Sequence, residues 1–247
     1  MHVSTQPSEM EPIAFSKAII KTRGIFCSSI DCFQYVRLGQ PFRQHFGLYI
    51  AKLESAVMQL TRWGESMCFL DAMFDRQKLY DKAKWEEADI ERAGKWLTMI
   101  QTAFLNAKTI SDQFKELHED VDAASESLQI PDQDAEMDKE DQIVKRLVTN
   151  LRKITHPRRK NFPPHDQQEV GALNQAPWVI YRKSEFEGLV NSVCTIADNL
   201  VRLFPALHSE QTALCLIEAE VVGPDCYEKL ANVLHRNDRF LFDTMSQ

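Results

Sequence analysis

The chain has 247 residues, 44% of them apolar and 26% charged, with a formal net charge of −7. That composition is globular rather than disordered, and the length allows a sizeable core in one large domain or two small ones. The negative balance excludes a non-specific nucleic-acid binder, so any anion-binding role falls to a local basic patch.

Eight glycines is a low count, and plentiful Leu, Ala, Lys, Glu and Gln favour helix over strand. Cys27, Cys32, Cys68, Cys194, Cys215 and Cys226 show no paired C-x-x-C spacing, and no secretory signal precedes them. They read as reduced, mostly buried thiols of a cytoplasmic protein. No run of 18 uncharged apolar residues is present, so nothing here spans a bilayer on its own.

Residues Met1 to Glu11 are polar and predicted loose. Pro12 suits a first helical position, and a helix is expected from there to about Val36. Phe15, Ile19, Phe26, Ile30 and Phe33 share one face of it, with Lys17 and Lys21 opposite. Gly39 and Pro41 then break the pattern; Gly supplies a positive φ at a helix end and Pro removes a donor, so two helices should meet there at a fixed turn. In the second helix, Phe42 to Glu65, Phe46, Tyr49, Leu53, Val57, Leu60 and Trp63 recur at helical steps. Lys52, Glu54, Gln59 and Arg62 fall mostly outside that stripe.

Cys68 to Tyr80 reads as a loop or short helix. A long helix follows from Trp85 to Leu117, more than ~40 Å at ~1.5 Å per residue. Residues 116–141 are acidic, contain Pro131 and read as an exposed linker inside the domain. Ile143, Leu147, Leu151 and Ile154 form a short amphipathic helix predicted to end before Pro157. Lys145, Arg146, Arg152, Lys153, Arg158, Arg159 and Lys160 crowd the same region. Such a run is commonly a solvated helix face, and it is also the best candidate for anionic lipid headgroups, at roughly 1 kcal/mol per basic residue. No aromatic residues interleave the charges, which disfavours nucleic acid.

Pro157, Pro163 and Pro164 mark a loop, and Trp178 to Tyr181 is the one short strand. Ser184 with Glu187 reads as a capping box for a helix that runs to Pro205. Two further helices, about Ser209–Val222 and Asp225–Asp243, are separated by Gly223-Pro224.

Enzyme chemistry leaves no trace in this sequence. It has no G-x-S-x-G elbow, phosphate loop or G-x-G-x-x-G, and its histidines have no second ligand at metal spacing. The expectation is a non-enzymatic protein with no cofactor and no metal. Asp31, beside the apolar face of the first helix, reads as a cap or an ion-pair partner.

The strings Asp31-Cys32-Phe33, Tyr35-Val36, Leu38-Gly39, Pro41-Phe42 and Arg62-Trp63-Gly64-Glu65 resemble the opening of the fungal HeLo domain of prion-inhibition and propagation proteins. Residues 176–205 resemble that family's tryptophan-containing segment and the long helix behind it. The resemblance implies a single domain over residues 1–247: an all-α HeLo-like bundle of about seven to nine helices, with one short β-hairpin near Trp178. It implies a membrane-targeting cell-death domain of the heterokaryon-incompatibility type, whose first helix leaves the bundle to perturb membrane. Phe15, Ile19, Phe26, Ile30 and Phe33 would form the targeting face, and Asp31, Gly39, Pro41 and Trp63 would govern its release. Implied partners are an amyloid-forming or NLR-type receptor protein, a second copy of the chain and an anionic membrane, but no nucleic acid. The implied location is cytoplasmic, moving to the plasma membrane on activation.

Two features depart from the family pattern. Lys17, Lys21 and Arg23 would cost roughly 2.5–3.5 kcal/mol each at a bilayer centre, whereas about eight Ile and Phe residues return only ~3–5 in total. A lone first helix should therefore lie in the interface, or oligomerise with its charges inward. Nothing after Phe242 resembles Asn- and Gly-rich amyloid repeats. A regulatory module that dimerises or binds a receptor without touching membrane is the competing class.

Overall fold

The computed structural model describes residues 11–39, 42, 46–71, 86–117, 139–160 and 177–246. These form eight α-helices and two short strands: α1 Glu11–Tyr35, β1 Val36–Leu38, α2 Phe46–Ser66, α3 Glu87–Leu117, α4 Lys139–Lys160, β2 Trp178–Ile180, α5 Lys183–Leu203, α6 His208–Val222, α7 Tyr227–Asn237 and α8 Arg239–Met245. Single 3-10 turns at Pro205–Leu207 and Pro224–Cys226 open α6 and α7. All-α architecture and helix number agree with the sequence reading.

The bundle is built around α2, which contacts α1, α4, α5, α6 and α7. Every residue from Leu53 to Gly64 is buried. The polar face expected of this helix is therefore absent: Glu54, Gln59 and Arg62 lie inside, and only Lys52 keeps partial exposure. Enclosure on all sides leaves no solvent face, so each buried polar group must find a protein partner.

Helices α1 and α3 lie side by side and run parallel. The Thr22 hydroxyl donates to the Ile90 carbonyl at 3.2 Å, and the Ser29 hydroxyl donates to that of Leu97 at 3.1 Å, both at an offset of 68 residues. Gly94 permits this approach, since a Cβ there would sit 3.1 Å from the Thr22 hydroxyl oxygen.

The strand at Trp178 is present but does not belong to a hairpin. It pairs in parallel with β1, Val36 opposite Trp178 and Leu38 opposite Ile180. A two-residue turn cannot join parallel strands; here most of the bundle forms the crossover. The first helix stops at Tyr35 because Val36 and Leu38 enter this ladder, and Gly39 extends it by donating its N–H to Ile180 O at 2.9 Å. Gly39 is thus needed for close approach, not for positive φ: a Cβ would lie 3.0 Å from Tyr181 Cδ1. A short strand intervenes between α1 and the expected corner, and the Phe42 N–H donates to Gly39 O at 3.1 Å to close a turn there. Pro41 lies outside the described residues.

Three further expectations need correction. Pro157 does not end α4, which continues to Lys160. Proline deprives only the Lys153 carbonyl of its helical donor, and Lys153 and Pro157 are both on the exposed side, where water can serve it. Ser184 is not the N-cap of α5; the helix begins at Lys183, after Arg182, with no side-chain cap bond. The last helix is divided at Asp238, whose backbone leaves the helical region (φ −146°) and whose carboxylate accepts the Leu241 N–H at 3.1 Å as N-cap of α8. Of the acidic linker, residues 118–138 lie outside the described residues. So do residues 1–10 and 72–85.

Candidate functional site: the first helix and what holds it

The five apolar residues predicted to share a face of α1 are all buried, from Phe15 to Phe33. Lys17, Ile20 and Lys21 form its exposed side. Phe26 is the keystone. Its ring packs against Trp63 and Phe69 at centroid distances of 5.8 and 5.7 Å, and those two rings meet at 5.6 Å. Gly64 makes room for it: a Cβ there would fall 2.1 Å from Phe26 Cζ. Further along, Phe33 meets Phe104 at 4.7 Å.

Polar ties add to the Thr22 and Ser29 bonds with α3. Arg23 donates from Nε to Phe69 O at 2.9 Å and from Nη2 to Asp71 O at 2.7 Å. Gln101 donates to Ile25 O at 3.2 Å. By contrast, the Ser28 hydroxyl and the Cys32 thiol bond to carbonyls four residues back in α1 itself, at 3.0 and 3.2 Å, while the Ser29 hydroxyl is shared between Ile25 O of its own helix at 2.8 Å and Leu97 O of α3. Burial pushes the Cys27 and Cys32 thiols up to about 12, with the Asp31 charge acting in the same direction. Asp31 is half-buried near the end of the helix and accepts a hydrogen bond from Gln34 Nε2 at 3.2 Å.

Within the body lies a cluster that sequence reasoning missed. Arg62 is fully buried; its guanidinium pairs with Asp238 and with Glu218 at 3.1 Å and reaches Cys215 Sγ at 2.7 Å. Glu218 also pairs with Arg158 at 2.5 Å, and Arg158 with Glu65 at 2.7 Å. The cluster joins α2, α4, α6 and the α7–α8 junction. Burial opposes the charge on Arg62, but Asp238 and Glu218 hold its pKa above the usual value. Burial raises Glu218, and the two guanidinia work against that rise. A signal was present: Arg62 is the only charged residue between Glu54 and Glu65, and so sparse a run cannot make a solvated face.

The family model described as HeLo, prion-inhibition and propagation, matches residues 18–231. This chain belongs to the HeLo family. It is 24% identical over 197 residues to heterokaryon incompatibility protein s of Podospora anserina, and 24% identical over 196 residues to protein S of the same species. In both cases the match covers 79% of this chain, which spans 60% of the relative's length. The solved HET-s N-terminal domain superposes with a TM-score of 0.67 at 23% identity, covering 92% of this chain and 95% of that one. A double mutant of that domain gives 0.65 at 22% identity, covering 92% and 96%. These likenesses establish a shared fold.

In this HeLo domain the seven basic residues of α4 do not act as one patch. Arg146 pairs with Asp225 at 3.0 Å, Lys153 donates to Asn150 Oδ1 at 2.9 Å, and Arg158 is held in the buried cluster. Arg152 pairs with Glu54 at 3.2 Å, beside the Thr155 hydroxyl at 2.8 Å. Lys145 sits a helical stretch away, whereas Arg152, Arg159 and Lys160 gather around His156. Among the described residues, no three His, Cys, Asp or Glu side chains are placed to hold a metal ion, and no helix is long and apolar enough to cross a membrane.

One carboxylate of the HeLo core yields a pH prediction. Asp198 on α5 accepts a hydrogen bond from Gln59, and its pKa is raised from 3.8 to about 6, by burial first and by the Asp238 charge second. A raised acid binds its proton more tightly in the folded state, so its ionisation destabilises the fold as pH rises from about 4 to 6 and remains a penalty above. Asp198→Asn should therefore be more stable than wild type at pH 7.5, by on the order of 1 kcal/mol after allowance for partial exposure. The difference should vanish by about pH 4, as read by urea unfolding at each pH. A pH-independent difference would assign the effect to packing.

Proposed function

We propose that this chain is a membrane-acting cell-death domain of the heterokaryon-incompatibility type, whose α1 is released on activation. The observation that carries this reading is the bonding economy of α1. Its apolar face is packed into the body, yet the Ser28 hydroxyl and the Cys32 thiol close on the helix's own carbonyls, and the Ser29 hydroxyl, now shared with Leu97 O, has the Ile25 carbonyl within 2.8 Å. Such groups keep those partners when the helix exchanges protein for lipid, where every unsatisfied polar group is expensive. The exposed stripe of Lys17, Ile20 and Lys21 suits an interfacial position on an anionic surface, with lysines in the headgroups. Activation by an amyloid-forming or receptor partner, self-association, and passage from cytoplasm to plasma membrane complete the proposal.

The test is dye release from anionic liposomes by the full chain, before and after mild destabilisation with urea. Release should begin only under destabilisation. Lys17→Glu with Lys21→Glu, both exposed, should lower it about tenfold or more without changing the unfolding midpoint appreciably. Intact liposomes throughout, with stable binding to a protein partner, would favour the interaction-module reading. In that reading's favour, Leu216 and Ile217 on α6 are each 58% exposed.

A further inference from the structure

We propose that the last two turns of α4 form a binding site for the phosphate of an anionic lipid headgroup, centred on Arg159. The inference rests on the membrane reading above and adds its ligand.

Helical spacing places Arg152, His156 and Arg159 along one stripe, with Lys160 beside them. The Glu54 carboxylate beneath is taken from both sides, by Arg152 Nε at 3.2 Å and by the Thr155 hydroxyl at 2.8 Å. One turn further on, Arg159 Nε is buried and has no hydrogen-bond partner. The charged groups acting on Arg159 are Glu54 of α2, Arg152 of α4 and Asp31 of α1. Burial holds the His156 pKa down; Glu54 acts against this, while Arg159, Arg152 and Lys160 act with it. Arg152, Arg159 and Lys160 thus bring three permanent cations to the end of α4. Arg146, Lys153 and Arg158 of the same helix are engaged elsewhere.

A phosphate complements this arrangement in charge and in geometry, because a guanidinium offers paired N–H donors to tetrahedral oxygens.

Vesicle capture of the full chain tests this, using phosphatidylcholine with and without phosphatidic acid at physiological salt. Arg159→Gln with Lys160→Gln should weaken capture by acidic vesicles about tenfold or more, while the charge-matched pair Lys145→Gln with Arg146→Gln changes it less than about threefold. Lys160→Gln alone, at an exposed position, should cost about fivefold and leaves the buried guanidinium untouched. Equal losses in both pairs, or no loss in the first, would overturn the site. Saturable binding of inorganic phosphate without vesicle capture would overturn the lipid source. If capture depends on Arg159 while liposomes keep their dye, the site stands and the cell-death reading falls. If release proceeds unchanged in the Arg159 variant, the reverse holds.

Discussion

Arg62→Ala is expected to lower the free energy of unfolding by about 3–5 kcal/mol. Removing the guanidinium leaves Asp238 and Glu218 inside the protein without their shared cation. Arg158 still serves Glu218, but among the described residues Asp238 would keep only the Leu241 N–H as a side-chain partner. For a domain of this length the loss corresponds to a fall in melting temperature of roughly 10 °C or more. Arg62→Met combined with Glu218→Gln and Asp238→Asn should recover much of it, because the triple change removes the stranded charges together with their partner. Urea unfolding of the single and triple variants checks both statements. A loss below about 1 kcal/mol for Arg62→Ala would mean that water reaches the cluster.

Gly64→Ala is expected to destabilise the docking of α1 in particular. In a helix interior this exchange ordinarily stabilises, by about 0.5–1 kcal/mol. Here the three atoms nearest the new methyl all belong to the Phe26 ring, at 2.1 to 2.7 Å, and that ring is enclosed by Trp63 and Phe69. Overpacking costs about 1–3 kcal/mol, so it outweighs the helical gain and the net sign is a loss. The ring can yield only by moving α1. Faster amide exchange in α1 than in α5, and dye release at lower urea than wild type, are the expected readouts. A stabilised Gly64→Ala protein would show that Phe26 has room to turn and is no keystone.

Helix positions, the buried face of α1 and the break at Gly223 were legible because each is a local pattern. Phe15, Ile19, Phe26, Ile30 and Phe33 share a period, and a period is visible in one strand of text. What was illegible is what depends on partners far along the chain. The parallel pairing of Val36–Leu38 with Trp178–Ile180 has no local sign; only the second segment looks like a strand. Arg62 was assigned to an outer face because a charged residue ordinarily belongs there, and its partners lie more than 150 residues away. Asp238 reads as an ordinary helical aspartate until it is seen to cap α8 and neutralise Arg62 at once. The basic run of α4 was legible as composition, but its division into engaged and available cations was not. That division is set by Glu54, Glu65, Glu218 and Asp225, which come from other elements.

The constant offset between α1 and α3 has an electrostatic side. Two adjacent helices pointing the same way set their peptide dipoles abreast, like half-charges next to like half-charges at both ends. Side-chain packing must hold the pair against that mutual repulsion, which an antiparallel neighbour would have turned into attraction. The seat of the first helix is therefore tight in shape and unfavourable in field, and departure relieves the second while forfeiting the first.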